Sequence, residues 1–191
     1  MPDRQELDWQ ELVERHGPAA WRTAYRLLGN RADADECLQE TFLAALDVSR
    51  RESVANWQAL IVRLAASRAI DRLRSRDRRR QREQNAVSRA TPSPTVPPYQ
   101  NLVEQELADK LRGALAELPA RQAEAFCLHS LDEWSYQQIS QQLGVSVNAV
   151  GVLLFRARER LRVLLAGLAP NSGQLDHDKH CISAVSKKEN R

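Results

Sequence analysis

Trp57–Arg82, WQALIVRLAASRAIDRLRSRDRRRQR, is the stretch whose reading decides the fold. Trp57, Leu60, Ile61 and Leu64 fall at helical spacing, and Ile70 and Leu73 continue the stripe. No Gly or Pro interrupts the run, so the spacing predicts one long helix. From Arg63 to Arg82 nine arginines stand against two acids, Asp71 and Asp77, a local charge of +7. One end of such a helix can dock on a core while the other projects guanidinium groups. The planar fork of arginine suits phosphate oxygens and base edges. The plainer alternative is a solvated helix end running out into a linker.

The rest of the charge isolates this helix. Residues 1–62 carry seven basic and eleven acidic side chains, and residues 83–191 carry twelve of each. The positive excess of a chain with net charge +3 therefore sits in one element. That pattern points to a polyanion there and a different partner elsewhere. Cys37, Cys127 and Cys181 are odd in number and widely spaced, which argues against a disulfide framework and for a reducing compartment. Cys37 and Cys127 fall in apolar helical register and read as core, and His16 and His129 read as helix-surface or packed residues. No apolar run approaches the roughly 18–20 residues of a membrane span. The opening MPDRQELDW has no signal-peptide core. The expectation is a soluble cytoplasmic protein with no membrane insertion, monomeric when free.

Upstream of the basic helix, Leu7, Trp9, Leu12 and Val13 outline a short amphipathic helix that Gly17 and Pro18 should break. A second helix runs through Trp21, Ala24, Tyr25 and Leu28 to the cap signal Gly29-Asn30. A third spans about 32–47 with Leu38, Phe42, Ala45 and Leu46 as its stripe, and 50–55 read as a polar loop. No strand pattern occurs. The fold class is all-α: an N-terminal helical domain over 5–82, a Pro-rich flexible linker over 83–101, a second helical domain over 102–166 and a disordered tail over 167–191.

The second domain carries its own signature. Ser135-Tyr-Gln-Gln138 matches a capping box, Gly144 a tight turn, and Ser146 the cap of a helix that bears Arg156, Arg158, Arg160 and Arg162. Short helix, glycine turn and basic helix describe a helix-turn-helix, with an ordinary helical hairpin as the alternative. Two arginine-bearing units on a tether suit bidentate DNA binding. Asp33, Asp35, Glu36, Gln39 and Glu40 make one side of the third helix acidic, and the expectation is that these acids face away from the arginine column, toward a protein. The alternative is that the acids complement the helix dipole, which covers Asp33 to Glu36 better than Gln39-Glu40.

Taken together, ADADECLQETFLAAL (32–46), the basic helix from Asn56, and LPARQAEAFCLHSLDEWSYQQISQQLGVSVNAVGVLLFRARERLR (118–162) resemble a bacterial extracytoplasmic-function (group IV) RNA polymerase sigma factor over about residues 7–165. The resemblance implies a chain that binds core RNA polymerase, directs it to promoter DNA and helps open the duplex, with an anti-sigma factor as a further partner. It implies polymerase contacts at Asp35, Glu36, Gln39, Glu40 and Phe42. It implies a reader of the minus-ten element at Asn56, Arg63, Ser67, Arg68, Arg72, Arg74 and Arg76. It implies a reader of the minus-thirty-five element at Ser146, Asn148, Phe155, Arg156 and Arg158. It calls for no catalytic residue, metal or cofactor.

The sequence departs from the family where Gly151, Val152 and Leu153 replace basic and hydroxyl residues of the recognition helix, and where Ser67 stands in place of a frequent asparagine. Trp57, the aromatic near the strand-opening surface, reads by its register as core. Two other functions compete: an autonomous helix-turn-helix regulator, and a metal-dependent nucleic-acid enzyme built on Asp33, Asp35, Glu36 and Glu40. His177, His180 and Cys181 read as an incidental cluster rather than a metal site.

Overall fold

The computed structural model describes residues 8–87 and 99–166, with side chains described over 8–83 and 105–166. The described residues form seven helices and no strand: α1 (Trp9–Leu28), α2 (Arg31–Arg51), α3 (Trp57–Val87), α4 (Tyr99–Glu117), α5 (Ala120–Ser130), α6 (Tyr136–Leu143) and α7 (Val147–Leu165). The basic stretch is one uninterrupted helix, as its composition requires. Residues 88–98 of the expected linker, the tail from 167 and His177, His180 and Cys181 lie outside the described residues.

Caps set the helix starts. Asp8 accepts from the backbone of Gln10 and Glu11 at 2.9 and 3.1 Å, Asn30 from Asp33 at 2.8 Å, and Asn56 from Ala59 at 3.0 Å. Gly29 takes φ +75° to end α1.

The break expected at Gly17-Pro18 does not occur, and α1 runs straight through it. Pro18 removes a single N–H from the ladder. Leu12 before it and Ala20 after it are buried in one cluster, and Ala24 and Leu27 further on are buried in another, so packing holds the helix across the gap. Gly17 is itself buried, and a Cβ there would sit 3.9 Å from Phe42 Cε2, in ordinary contact. α2 in turn continues to Arg51, into the stretch expected to be loop.

The core has two parts. A small one joins Leu12, Ala20, Ala45, Ile61 and Ala65, with Trp9, Phe42 and Trp57 packed around it. Trp57 meets Trp9 edge to face with ring centres 5.8 Å apart, the core role its register indicates. The larger part starts with Leu27, Leu28, Ile70 and Leu73 and continues without interruption into Leu115, Leu118, Leu128, Ile139 and Leu154. The two helical units are therefore in contact across shared apolar surface, not held apart by a tether. Leu28 and Leu73 line the junction with Arg112 and Gly113 of α4. Burying them against α4 and α5 is favourable by about 25 cal/mol per Å².

Candidate nucleic-acid and partner interface

On α2, Asp35, Glu36, Gln39 and Glu40 are all exposed, as expected of a docking face. Their orientation differs from the expectation. α2 packs alongside α3, and the acids turn toward the arginine column. Arg72 Nη1 donates to Glu36 at 2.9 Å, and its Nη2 and Nε donate to Glu40 at 2.8 and 3.3 Å. Asp33 pairs with Arg76 and lies 3.9 Å from Arg72. The bond to Glu40, ahead of that to Glu36, pushes the Arg72 pKa further up. Asp35 is held separately, accepting from Trp21 Nε1 at 2.7 Å, while Trp21 stacks on Tyr25. A guanidinium among Asp33, Glu36 and Glu40 occupies the place where a catalytic cation would have to sit, which counts against the nuclease alternative.

Phe42 lies where its place in the α2 stripe indicates. It is half-buried against Gly17 and the small core, away from the face that carries Glu36 and Glu40. The apolar residue on that face is Leu43, 64% exposed. Its spacing from Glu36, Gln39 and Glu40 is the sequence signal that locates it.

The proposed readers on α3 divide into free and engaged. Asn56 is exposed, but its amide oxygen serves as the helix cap. Arg68 is exposed, Ser67 half-buried, and Arg63 half-buried with Nε lacking a partner among the described residues. Arg72 and Arg76 hold the acids of α2. Arg74 reaches the second unit, donating to the carbonyls of Leu118 at 2.7 Å and Ala116 at 3.3 Å.

Further polar bonds join the same two units. Arg112 of α4 donates to the Leu27 carbonyl at 2.9 Å. Its guanidinium lies over Gly29, and because the end of that side chain can shift, the φ of +75° is what calls for glycine at this turn. Thr23 donates to Asp132 Oδ1 at 2.7 Å, and Arg26 donates to the Leu131 carbonyl and lies 3.9 Å from Asp132. Burial raises the Asp132 pKa, opposed by the Thr23 bond and by Arg26. None of Thr23, Arg112 and Asp132 carries a local motif.

α6 and α7 form the helix-turn-helix that the sequence indicates. Ser135 and Gln138 exchange both capping-box bonds, Gly144 turns the chain at φ +63°, and Ser146 accepts from Ala149 at 3.2 Å. His129 Nδ1 contacts the Trp134 carbonyl at 2.9 Å and packs edge-on to Tyr136, fixing the α5–α6 turn. Val150, Leu154, Ala157 and Leu161 bury one side of α7. Asn148, Phe155, Arg156 and Arg158 are exposed.

Comparison with known proteins follows these boundaries. Residues 12–79 match the family model "Sigma-70 region 2", and residues 108–161 match "Sigma-70, region 4". The sigma factor CarQ of Myxococcus xanthus is 30% identical, with 84% of this chain and 90% of that protein covered. The extracytoplasmic-function sigma factor SigE of Mycolicibacterium smegmatis is also 30% identical, over 87% of this chain and 65% of its own length. The structure of CnrH in complex with the cytosolic domain of CnrY shares the fold, with TM-score 0.53 at 22% identity over 84% of this chain and 88% of that one. With region 2 on α1–α3 and region 4 on α4–α7, the chain belongs to the extracytoplasmic-function, group IV, RNA polymerase sigma factors.

Proposed function

We infer that this chain binds core RNA polymerase in the cytoplasm through the exposed edge of α2, and that the loaded complex reads promoter DNA with both helical units. Glu36, Gln39 and Glu40 supply the charge of the polymerase contact and Leu43 its apolar centre, the usual arrangement of a docking surface. The loop ending at Asn56 and the start of α3 with Ser67 and Arg68 face the minus-ten element. Splaying out a base costs a few kcal/mol, offset by contacts from polymerase and sigma together. α7 enters the major groove at the minus-thirty-five element, with Asn148, Phe155 and Arg156 toward the bases and Arg158 toward a phosphate. An anti-sigma protein is a fitting antagonist, since a cover over the α2 edge would block loading.

The observation that supports this most directly is the pair of surfaces on separate units: an exposed acidic edge with Leu43 at its centre, and an exposed basic α7 set in a helix-turn-helix. An autonomous regulator needs only the second of these. Arg74 cannot contact DNA while it holds the carbonyls of Ala116 and Leu118, so a contact from Arg74 itself would require that junction to open, whereas Arg68 is exposed without it.

The test is pull-down with core polymerase followed by start-site mapping. Defined starts that need both components are expected. Specific transcriptional control by the chain without polymerase association would overturn the reading.

A further inference from the structure

The outward line of α7 is unusual for a helix that lies against bases. Opposite the buried Val150, Leu154 and Leu161, helical spacing brings Asn148, Val152, Phe155, Arg156, Glu159 and Val163 to the outer side. Val152 is 48% exposed and Phe155 65% exposed, and no neighbouring element among the described residues covers them. They fall in the second and third turns of α7, within the N-terminal half of the helix, the half that carries base contacts in a recognition helix. The cations Arg156, Arg158, Arg160 and Arg162 follow in the next turns, offset only by Glu159. Charge complementarity therefore assigns this apolar patch to DNA, since a strip flanked by four arginines suits phosphates on both sides.

Valine and phenylalanine have no hydrogen bond to offer. In the major groove one base presents an apolar group, the C5 methyl of thymine. Asn148, one turn before Val152 and exposed, has the amide that pairs with adenine N6 and N7. We propose that the chain reads A·T pairs in its upstream element, with Val152 as the specificity-determining residue through contact with a thymine methyl and Asn148 as its adenine-reading neighbour. The proposal rests on the sigma reading above and makes it more specific. Gly151, beside Val152, faces α6 instead, where the nearest atom to a Cβ would be Tyr136 Cε2 at 3.8 Å, so the exposed line is carried by its neighbours.

The experiment uses the full chain loaded on core polymerase. A duplex library randomised over the upstream element is selected for binding, and each thymine of the enriched sequence is then replaced by deoxyuridine, which removes the methyl and nothing else. At one or two positions uracil should weaken wild-type binding about fourfold, the worth of one buried methyl group. Val152→Ala, at an exposed site, should erase the thymine–uracil difference at that position. Arg158→Ala should weaken both templates alike. Equal affinity for thymine and uracil templates throughout overturns the proposal, as does a difference that survives in Val152→Ala. Absence of any polymerase-dependent enrichment overturns the sigma reading and the proposal with it.

Discussion

Arg72 and Glu40 are joined through two bonds, Nη2 at 2.8 Å and Nε at 3.3 Å, so the helix that carries the positive charge also holds the acidic edge of its neighbour in place. Glu40 stays half-exposed in this grip, with its side chain 48% accessible. One carboxylate thus serves a structural partner and remains open to a second.

Reversing that charge separates the two roles. Glu40→Lys should lower association with core polymerase about tenfold or more, since a like charge is then set against the partner's surface. The exposed position limits the effect on folding, and a double-mutant cycle between Arg72 and Glu40 should give a coupling of about 0.5–1 kcal/mol. Pull-down and urea denaturation measure the two separately.

The Thr23–Asp132 bond ties α1 to the α5–α6 turn. Thr23→Val leaves a buried carboxylate without its donor and should cost about 1–3 kcal/mol. The pH dependence has a definite sign. Burial holds the folded pKa of Asp132 above its ordinary value of 3.8, so the folded state binds more protons than the unfolded state as pH rises from there. This residue's contribution to stability is therefore lost as pH climbs from that value through the folded pKa. Asp132→Asn should flatten that part of the curve, as read from urea midpoints against pH.

Arg68, proposed above to face the minus-ten element, is exposed and pairs with no acid among the described residues, unlike Arg72 and Arg76. Arg68→Ala should weaken promoter binding for all sequences alike and lower the slope of log affinity against log salt by about 1. A titration of holoenzyme binding against salt concentration tests both.

The thiols of Cys37 and Cys127 are buried, and burial pushes them up to about 11 and about 12. In a Cys181→Ser background the native chain should resist iodoacetamide at a pH of about 8, where little thiolate forms. Both cysteines should label once urea unfolds it. Mass spectrometry counts the additions.

Much of this was legible in the sequence, and the residues show why. Ser135, Gln138, Gly144 and Ser146 determine the helix-turn-helix through bonds spanning three or four residues, and such local chemistry is written in spacing. Pro18 was misleading because a missing N–H is a local cost, while the burial that outweighs it involves residues on either side. The facing of α2 is not legible because acids repel the DNA that an arginine column suits, which suggests keeping the two apart, whereas in the packed helix pair Glu36 and Glu40 neutralise Arg72. Thr23 and Asp132 are 109 positions apart, so nothing in either neighbourhood announces their bond. The same holds for Arg112 over Gly29: the turn signal is readable, the guest above it is not.

Arg74 has its guanidinium occupied by two carbonyls of the protein's own backbone, beside two other arginines already matched with acids. A transcription factor that carried all these charges bare would be sequestered by the chromosome, where non-cognate sites number on the order of 10⁶ or more. With part of its cationic helix satisfied internally, the unbound subunit should hold random DNA less tightly than the count of its arginines implies, and so stay able to diffuse to the polymerase.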